Sequence, residues 1–299
     1  MTGPVVSSAV VTGPVVTGPV VSGPVVSGPV VNGPVVRGAA VTGPAYIGRH
    51  RQEPPTETIS PPGSAGESGP DGALAAQVIV IAKEPVPGRV KTRLTPPFTP
   101  AEAAALAEAA LADTLAAVAD ATVTRRVLAL EGAPGRWLPP GFDVIGQRGG
   151  GLDERIAWAL ADTRSSWSAP VVLIGMDTPQ VTPELLASAA EPLVSGAADA
   201  TFGMAEDGGF WLLGLREIDP ALVLGVSMSR PDTGARQLRR LVEGGLRVLP
   251  LPALTDVDTA DEAERVAAML PDSRFAACLR ALDSRALGSR ATQQAAAIR

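Results

Sequence analysis

The rhythm of apolar residues changes near residue 74. Upstream, from Val10 to about Pro44, valine pairs recur in a Val-Val-Thr/Ser/Asn-Gly-Pro unit with a period of five. That period is neither the three of collagen nor a heptad. Downstream, short apolar runs alternate with Ala/Leu segments of helical spacing. Residues 78–81, Val-Ile-Val-Ile, predict a buried strand. Thr99-Pro100-Ala101-Glu102 joins a capping box to proline at the first helical position, predicting a helix to about Val118. Strands are expected over 126–130 and 142–145, with a Gly/Pro/Trp-rich loop between them. Gly149-Gly150-Gly151 precedes a helix over 152–162. The most apolar strand, 171–175, stops at Met176-Asp177-Thr178-Pro179, and Thr182-Pro183-Glu184 caps a helix to about Val194. Strands over 200–204 and 210–215 flank Ala205-Glu206-Asp207-Gly208-Gly209. A helix over 233–243, a strand over 246–251 and a helix from the Thr259-Ala260-Asp261-Glu262 box to Leu270 complete the pattern. Such alternation predicts one Rossmann-like α/β domain with a mainly parallel mixed sheet between helices.

Composition separates this domain from what precedes it. Each pentapeptide offers two valines, worth at best ~3–6 kcal/mol if both were fully buried. Ordering five residues of backbone costs ~5–10 kcal/mol, and the recurring proline blocks a central strand. The repeat is therefore expected to be disordered alone, with an elastin-like tendency to associate. It suits an interaction tail, a dispensable extension, or a start codon assigned too far upstream. Residues 51–73, rich in Pro, Gly, Glu and Ser, read as linker. The expected organisation is tail and linker over 1–75, one domain over 76–284, and a flexible C-terminal tail over 285–299.

Charge and rare residues narrow the chemistry. The 299-residue chain carries a net charge of −6, which argues against a nucleic-acid or anionic-membrane surface. With one cysteine, Cys278, and one histidine, His50, internal disulfides, Cys/His zinc sites and a Ser-His-Asp triad within the domain are excluded by counting. Any metal must be held by carboxylates, which points to Mg²⁺ or Mn²⁺. No apolar run reaches the length of a membrane span, and the first residues lack the basic start and apolar core of a signal peptide. The expectation is a cytoplasmic protein.

Against that acidic background, Lys83, Arg89, Lys91 and Arg93 crowd into eleven residues directly after the first strand, in a stretch stiffened by Pro85, Pro87 and Gly88. A strand that empties into such a loop suits phosphate, because backbone N–H groups and cationic side chains are exposed together. The same stretch also suits an ordinary solvated basic turn, and Arg89 in particular reads as solvated charge. Asp177 closes an apolar strand at the sheet edge where α/β folds bind ligands, a place for a metal ligand or a turn-capping Asp. Asp256 and Asp258, at i and i+2, share one side of an extended backbone. They are candidates for metal binding, or for complementing the dipole of the helix behind them. Asp207-Gly208-Gly209, taken alone, is a hairpin turn.

In order along the chain, five blocks resemble a GT-A-type glycosyltransferase-like family, the radical-SAM/selenodomain-associated or arsenosugar-biosynthesis transferases of the nucleotide-diphospho-sugar transferase superfamily. They are Ala82-Lys83…Pro87-Gly88-Arg89-Val90-Lys91-Thr92-Arg93-Leu94; Gly150-Gly151-Leu152…Arg155; Ile174-Gly175-Met176-Asp177-Thr178-Pro179; Glu206-Asp207-Gly208-Gly209-Phe210-Trp211; and Asp256-Val257-Asp258-Thr259. The resemblance spans about residues 77–282. It implies nucleotide and phosphate contacts at Lys83, Gly88, Lys91, Arg93, Gly151 and Arg155, and metal binding at Asp177 and Asp258 with Asp256 beside them. Sugar or acceptor contacts would fall near Asp207 and Trp211. The activity implied is transfer of a sugar from a nucleotide-sugar to a small acceptor, with Lys91 and Arg93 stabilising the departing diphosphate and Asp207 as general base. The alternative is nucleotidyl transfer from an NTP to a phosphorylated or carboxylate acceptor, because Lys-Thr-Arg-Leu also resembles the loop of such enzymes. Their Leu-x-x-Gly-x-x-x-Arg-Met-Gly loop, however, is missing here. A third alternative is a catalytically degenerate scaffold of the same fold. Deleting residues 1–73 is expected to leave a folded, active domain; a truncated protein without a cooperative melting transition would contradict this organisation.

Overall fold

The computed structural model describes residues 72–297, with side chains through 285. The valine repeat, the linker and the disorder expected of them lie outside the described residues. The chain from Gly72 onward forms a seven-stranded sheet whose order is β3–β2–β1–β4–β6–β5–β7. The strands are β1 Leu74–Lys83, β2 Val123–Glu131, β3 Asp143–Gly146, β4 Val171–Ile174, β5 Ala200–Ala205, β6 Phe210–Leu215 and β7 Val248–Leu254. The helices are α1 Pro100–Asp120, α2 Leu152–Ser166, α3 Pro183–Val194, α4 Thr233–Glu243, α5 Ala260–Met269 and α6 Arg274–Ala297. β1 pairs in parallel with both β2 and β4, and β5 pairs in parallel with β7. Only β6 runs against its neighbours, between β4 and β5.

Two buried layers explain the long apolar runs. One face of β1, through Val78, Val80 and Ala82, packs with Leu111 and Leu115 of α1 and Leu186 and Leu193 of α3. The other, through Ile79 and Ile81, packs with Ile156 and Leu160 of α2 and Leu241 of α4. A strand covered on both faces carries apolar residues at every position rather than at alternate ones. β7 tolerates Pro250 and Pro252 because it is an edge strand.

From β1 the order runs one way to β2 and β3, and the other way to β4. Their carboxyl ends therefore part at a topological switch point, which opens a crevice. β6 is antiparallel to β4, so the turn that feeds it reaches the same edge as the ends of β4, β5 and β7.

A third apolar cluster sits below this edge. Leu94 packs with Leu106 of α1, Val257, Val266 of α5 and Phe275 of α6. Val90 packs beside it on Ala104 and Ala107. The basic loop is thus pinned at both ends, and Thr92–Leu94 close it in one 3₁₀ turn. Both predicted capping boxes form. Thr99 and Glu102 cap α1, and Thr259 and Glu262 cap α5.

The chain also differs from its expected outline. Helix α6 was not anticipated, and it continues through the segment expected to be a flexible tail from 285. Its Ala/Arg/Leu-rich sequence suits a helix, but its first N–H groups are capped from a distance: Arg274 and Phe275 donate to the Asp113 carboxylate of α1. Truncating Leu94, fully buried, is expected to cost about 2–4 kcal/mol as a Leu94→Ala cavity and to loosen the loop it anchors. Urea melts report the first effect, and faster amide hydrogen exchange across residues 88–94 the second.

Candidate functional site

Along the carboxyl edge of the sheet lies a cleft of 420 Å³. Its polar side is lined by Arg93, Asp177, Asp207, Asp256, Asp258 and Arg230, and its apolar side by Ile81, Leu152, Ile156, Leu173, Phe210 and Met228. Backbone hydrogen bonds lock the acidic segments together. Val257 N–H donates to the Asp177 carbonyl at 3.1 Å, and Glu206 N–H to the Leu254 carbonyl at 3.0 Å. Gln180 Nε2 donates to the Thr255 carbonyl at 2.9 Å. Glu262 of α5 accepts from the N–H groups of Asp258 and Thr259 at 2.9 and 2.7 Å, so the helix cap also positions Asp258.

At the centre is Lys91. Its ammonium lies 2.9 Å from Asp177 Oδ2 and 2.8 Å from Asp258 Oδ1, with its side chain only 7% exposed. The residue holds a left-handed backbone, φ 48° and ψ 42°, which costs a residue with a Cβ about 1–2 kcal/mol. That strain is tolerated because buried Val90 and Leu94 fix the loop on either side. Arg93 takes the other oxygen of Asp258 at 3.1 Å while 71% of its side chain stays in solvent.

The electrostatics divide the two neighbouring aspartates. Burial opposes the charge of Lys91, but Asp177 and Asp258 outweigh it and hold the ammonium above the ordinary lysine range. Burial also works against the charge of Asp258, and Lys91 and Arg93 overcome it to hold the carboxyl below its ordinary value. Asp256 receives no such partner. Burial, then the charge of Asp177, with smaller contributions from Asp207 and Asp258, push its pKa up to about 7, with Lys91 only partly offsetting them. Two carboxylates close in sequence raise one another unless a cation relieves them; here the cation relieves only one.

The other expected site residues are placed as follows. Asp207 lines the cleft and is exposed, and its Oδ1 accepts from Gly209 N–H at 2.8 Å. Lys83 and Arg155 lie outside the cleft lining and meet on Glu131, with Lys83 at 3.5 Å and Arg155 hydrogen-bonded to it. Arg89 approaches the same carboxylate at 3.8 Å from a largely exposed position. Gly88 has φ 76° with nothing near the position a Cβ would take. The backbone conformation requires that glycine, not a close approach. Gly151 is the N-cap of α2. Trp211 also lines the cleft, but it is only 2% exposed and its indole N–H donates to the Pro252 carbonyl, holding β7 to the sheet.

Sequence reasoning missed Glu131, although it closes β2 as Asp177 follows β4, and the same strand-end rule applies to both. It also missed the 228–231 wall. Ser229 there has φ 57°, and the Pro231 carbonyl would lie 1.9 Å from a Cβ on Gly208. Only Gly208 lets the two turns meet, a contact between distant segments that no local motif signals.

Among the described residues, no three carboxylate, histidine or cysteine side chains form a metal-ligating group. The Asp177–Asp258 pair nevertheless encloses a cation, the Lys91 ammonium, at hydrogen-bonding distance from both. That donor set suits Mg²⁺ or Mn²⁺, which take one or two protein carboxylates and complete their shell with phosphate oxygens and water. No helix among the described residues is long and apolar enough to cross a membrane.

A family model described as "Uncharacterized protein conserved in bacteria (DUF2064)" matches residues 105–230. It includes Asp177 and Asp207 but neither the basic loop nor Asp258. No curated protein matches the chain. Among solved structures, the chain is similar to a Desulfovibrio desulfuricans G20 protein provisionally described as a nucleotide-diphospho-sugar transferase. That match has 27% identity and a TM-score of 0.64 over 70% of this chain and 95% of that one. The two share the α/β fold. More distant similarities include Rv0371c of Mycobacterium tuberculosis H37Rv in complex with manganese, at 22% identity, 65% and 98% coverage and TM-score 0.41. Another is 4-diphosphocytidyl-2C-methyl-D-erythritol synthase from Anaerococcus prevotii, at 10% identity, 66% and 96% coverage and TM-score 0.43.

The position of Asp256 gives a pH dependence with a definite sign. Its folded-state pKa is raised to about 7, so folding favours the protonated acid. The stability this contributes is complete below the unfolded-state pKa near 4 and is lost as pH rises through 7. In chelator-treated protein, Asp256→Asn is expected to raise stability by on the order of 2 kcal/mol at pH 8 and by little at pH 4. Chemical denaturation at the two pH values reads the difference; an equal effect at both would contradict the assignment.

Proposed function

We propose that the protein is a metal-assisted transferase acting on a nucleotide-activated donor, and that it moves a sugar from a nucleotide-sugar to a small acceptor. The observation that carries this reading is the convergence of Asp177 and Asp258 on one cation at the switch point of the sheet, beside a solvent-facing arginine. The likeness to the Desulfovibrio protein described as a nucleotide-diphospho-sugar transferase supports the donor class.

In this reading Asp177 and Asp258 hold a divalent cation, which when bound neutralises charge on the donor's diphosphate. Arg93, largely exposed at the cleft mouth, and Lys91 meet phosphate oxygens and stabilise the charge that grows as the sugar–phosphate bond breaks. The apolar side, Ile81, Ile156 and Leu173 among it, gives a flat base or sugar ring a dry surface and excludes water from the reacting atoms. Asp207 supports glycosyl transfer over nucleotidyl transfer. Its exposed carboxylate faces the cleft with one oxygen turned to Gly209, so it can take the proton of an acceptor hydroxyl. A phosphate acceptor, already ionised, needs no such base.

Calorimetric titration with uridine, guanosine and cytidine diphosphates in Mg²⁺ tests the reading; no binding of any would sink it. Asp177→Ala and Asp258→Ala are each expected to lower kcat/KM on the order of 100-fold or more. Product analysis separates the two chemistries, because free nucleoside diphosphate marks sugar transfer and pyrophosphate marks nucleotidyl transfer.

A further inference from the structure

Lys91 does not extend into the open cleft, where a phosphate-binding lysine is expected. It fills the space between the two carboxylates assigned to the metal, bridging them at 2.9 and 2.8 Å. An ammonium and a divalent ion cannot both use those oxygens. They compete for the same space between the two carboxylates, and their positive charges would repel strongly at such separations. We propose that Lys91 is a displaceable internal cation. It holds Asp177 and Asp258 together in the metal-free protein, is expelled when the metal binds, and then turns to the phosphates of the incoming donor. This inference rests on the reading of Asp177 and Asp258 as metal ligands.

The loop is built for such an exchange to occur in the side chain alone. Val90 and Leu94 are buried on α1, and the Lys91 carbonyl accepts from Leu94 N–H at 3.0 Å. The backbone therefore stays in place while a flexible four-carbon stem carries a compact charge from one seat to another. Arg93 is differently placed. It touches only the outer oxygen of Asp258 from a solvated position, so it can remain where it is when a metal arrives. One exchange then leaves both carboxylates neutralised and adds a free ammonium at the moment an anionic donor needs one. Metal and diphosphate consequently reinforce each other's binding, and the coupling is reciprocal.

Titration of the full-length protein with Mn²⁺ alone, and with inorganic pyrophosphate in saturating Mn²⁺, tests the proposal. Lys91→Met is expected to bind Mn²⁺ at least tenfold more tightly than the unmodified protein, and pyrophosphate at least tenfold more weakly. A lysine that merely supports the fold would weaken both. A second measurement needs no variant: acylation of Lys91 by an amine-reactive reagent, mapped by mass spectrometry. The reaction is expected to be slow in metal-free protein and several-fold faster with Mn²⁺, while exposed Lys83 reacts alike in both. Mn²⁺ binding no tighter in Lys91→Met, or Lys91 equally protected at saturating Mn²⁺, would overturn the displacement and leave the metal reading standing. Absence of Mn²⁺ binding by both proteins, with and without pyrophosphate, would overturn both.

Discussion

The Lys91 bridge between Asp177 and Asp258 is the interaction on which the rest of the site depends. It joins three segments that are far apart in sequence: the loop after β1, the end of β4, and the segment between β7 and α5. Each partner is also fixed independently. Leu94 and Val90 anchor the lysine, the Val257–Asp177 backbone bond ties the two acidic segments, and the α5 capping box holds Asp258. The ion pair therefore closes a frame that packing has already built. That order matters energetically, because bringing charges out of water is costly unless their geometry is prepared. The prepared geometry is also what allows one cation to be exchanged for another without rebuilding the edge of the sheet.

The same frame explains why two aspartates separated by a single residue behave oppositely. Val257 is buried in the cluster under the loop, and its flanking carboxylates are held at the cleft. Asp258 meets Lys91 and Arg93, whereas Asp256 meets burial and three other acids. Four aspartates and two arginines line the cleft, so without a ligand it is richer in negative than in positive charge. In the proposed reading a divalent cation would cancel that excess, so that metal and polyanion would bind better together than either alone.

Much of this was legible in the sequence, for reasons that are local. Capping boxes and strand-ending prolines depend on a few neighbouring residues, so α1, α3 and α5 start where Thr99, Thr182 and Thr259 place them. Strand ends, likewise, pointed to Asp177. What was not legible depends on partners distant in the chain. Helix α6 takes part of its N-terminal cap from Asp113 of α1, beside the local cap of Ser273, whose hydroxyl accepts from Ala276 N–H; the local signal was there to read, the distant one was not. The antiparallel pairing of β6 with β5 is local, since the short 206–209 turn admits only a hairpin, but the placement of β6 between β4 and β5 is not. Trp211 reads as a ligand contact beside a glycine-rich turn and does line the cleft, but its indole N–H is taken by a carbonyl of the edge strand β7, a pairing no local motif signals.

The cleft's two sides derive from different layers of the fold, and this bears on how a donor is held. The apolar side continues the core between the sheet and α2, where Ile81, Ile156 and Leu173 belong to one packed cluster. The polar side rests on the separate cluster joining α1, α5, α6 and the basic loop. Small shifts of one cluster therefore need not disturb the other. In the proposed reading a donor with an apolar ring and a charged diphosphate would span both. The Gly208–Pro231 approach joins the turn that carries Asp207 to the 228–231 wall of the cleft. Asp207, the proposed base, is positioned by a turn that depends on a glycine, while Lys91 and Arg93, the proposed charge-stabilising groups, are positioned by buried leucine and valine. In the proposed reading, proton removal and charge stabilisation would thus have separate structural supports within one cleft.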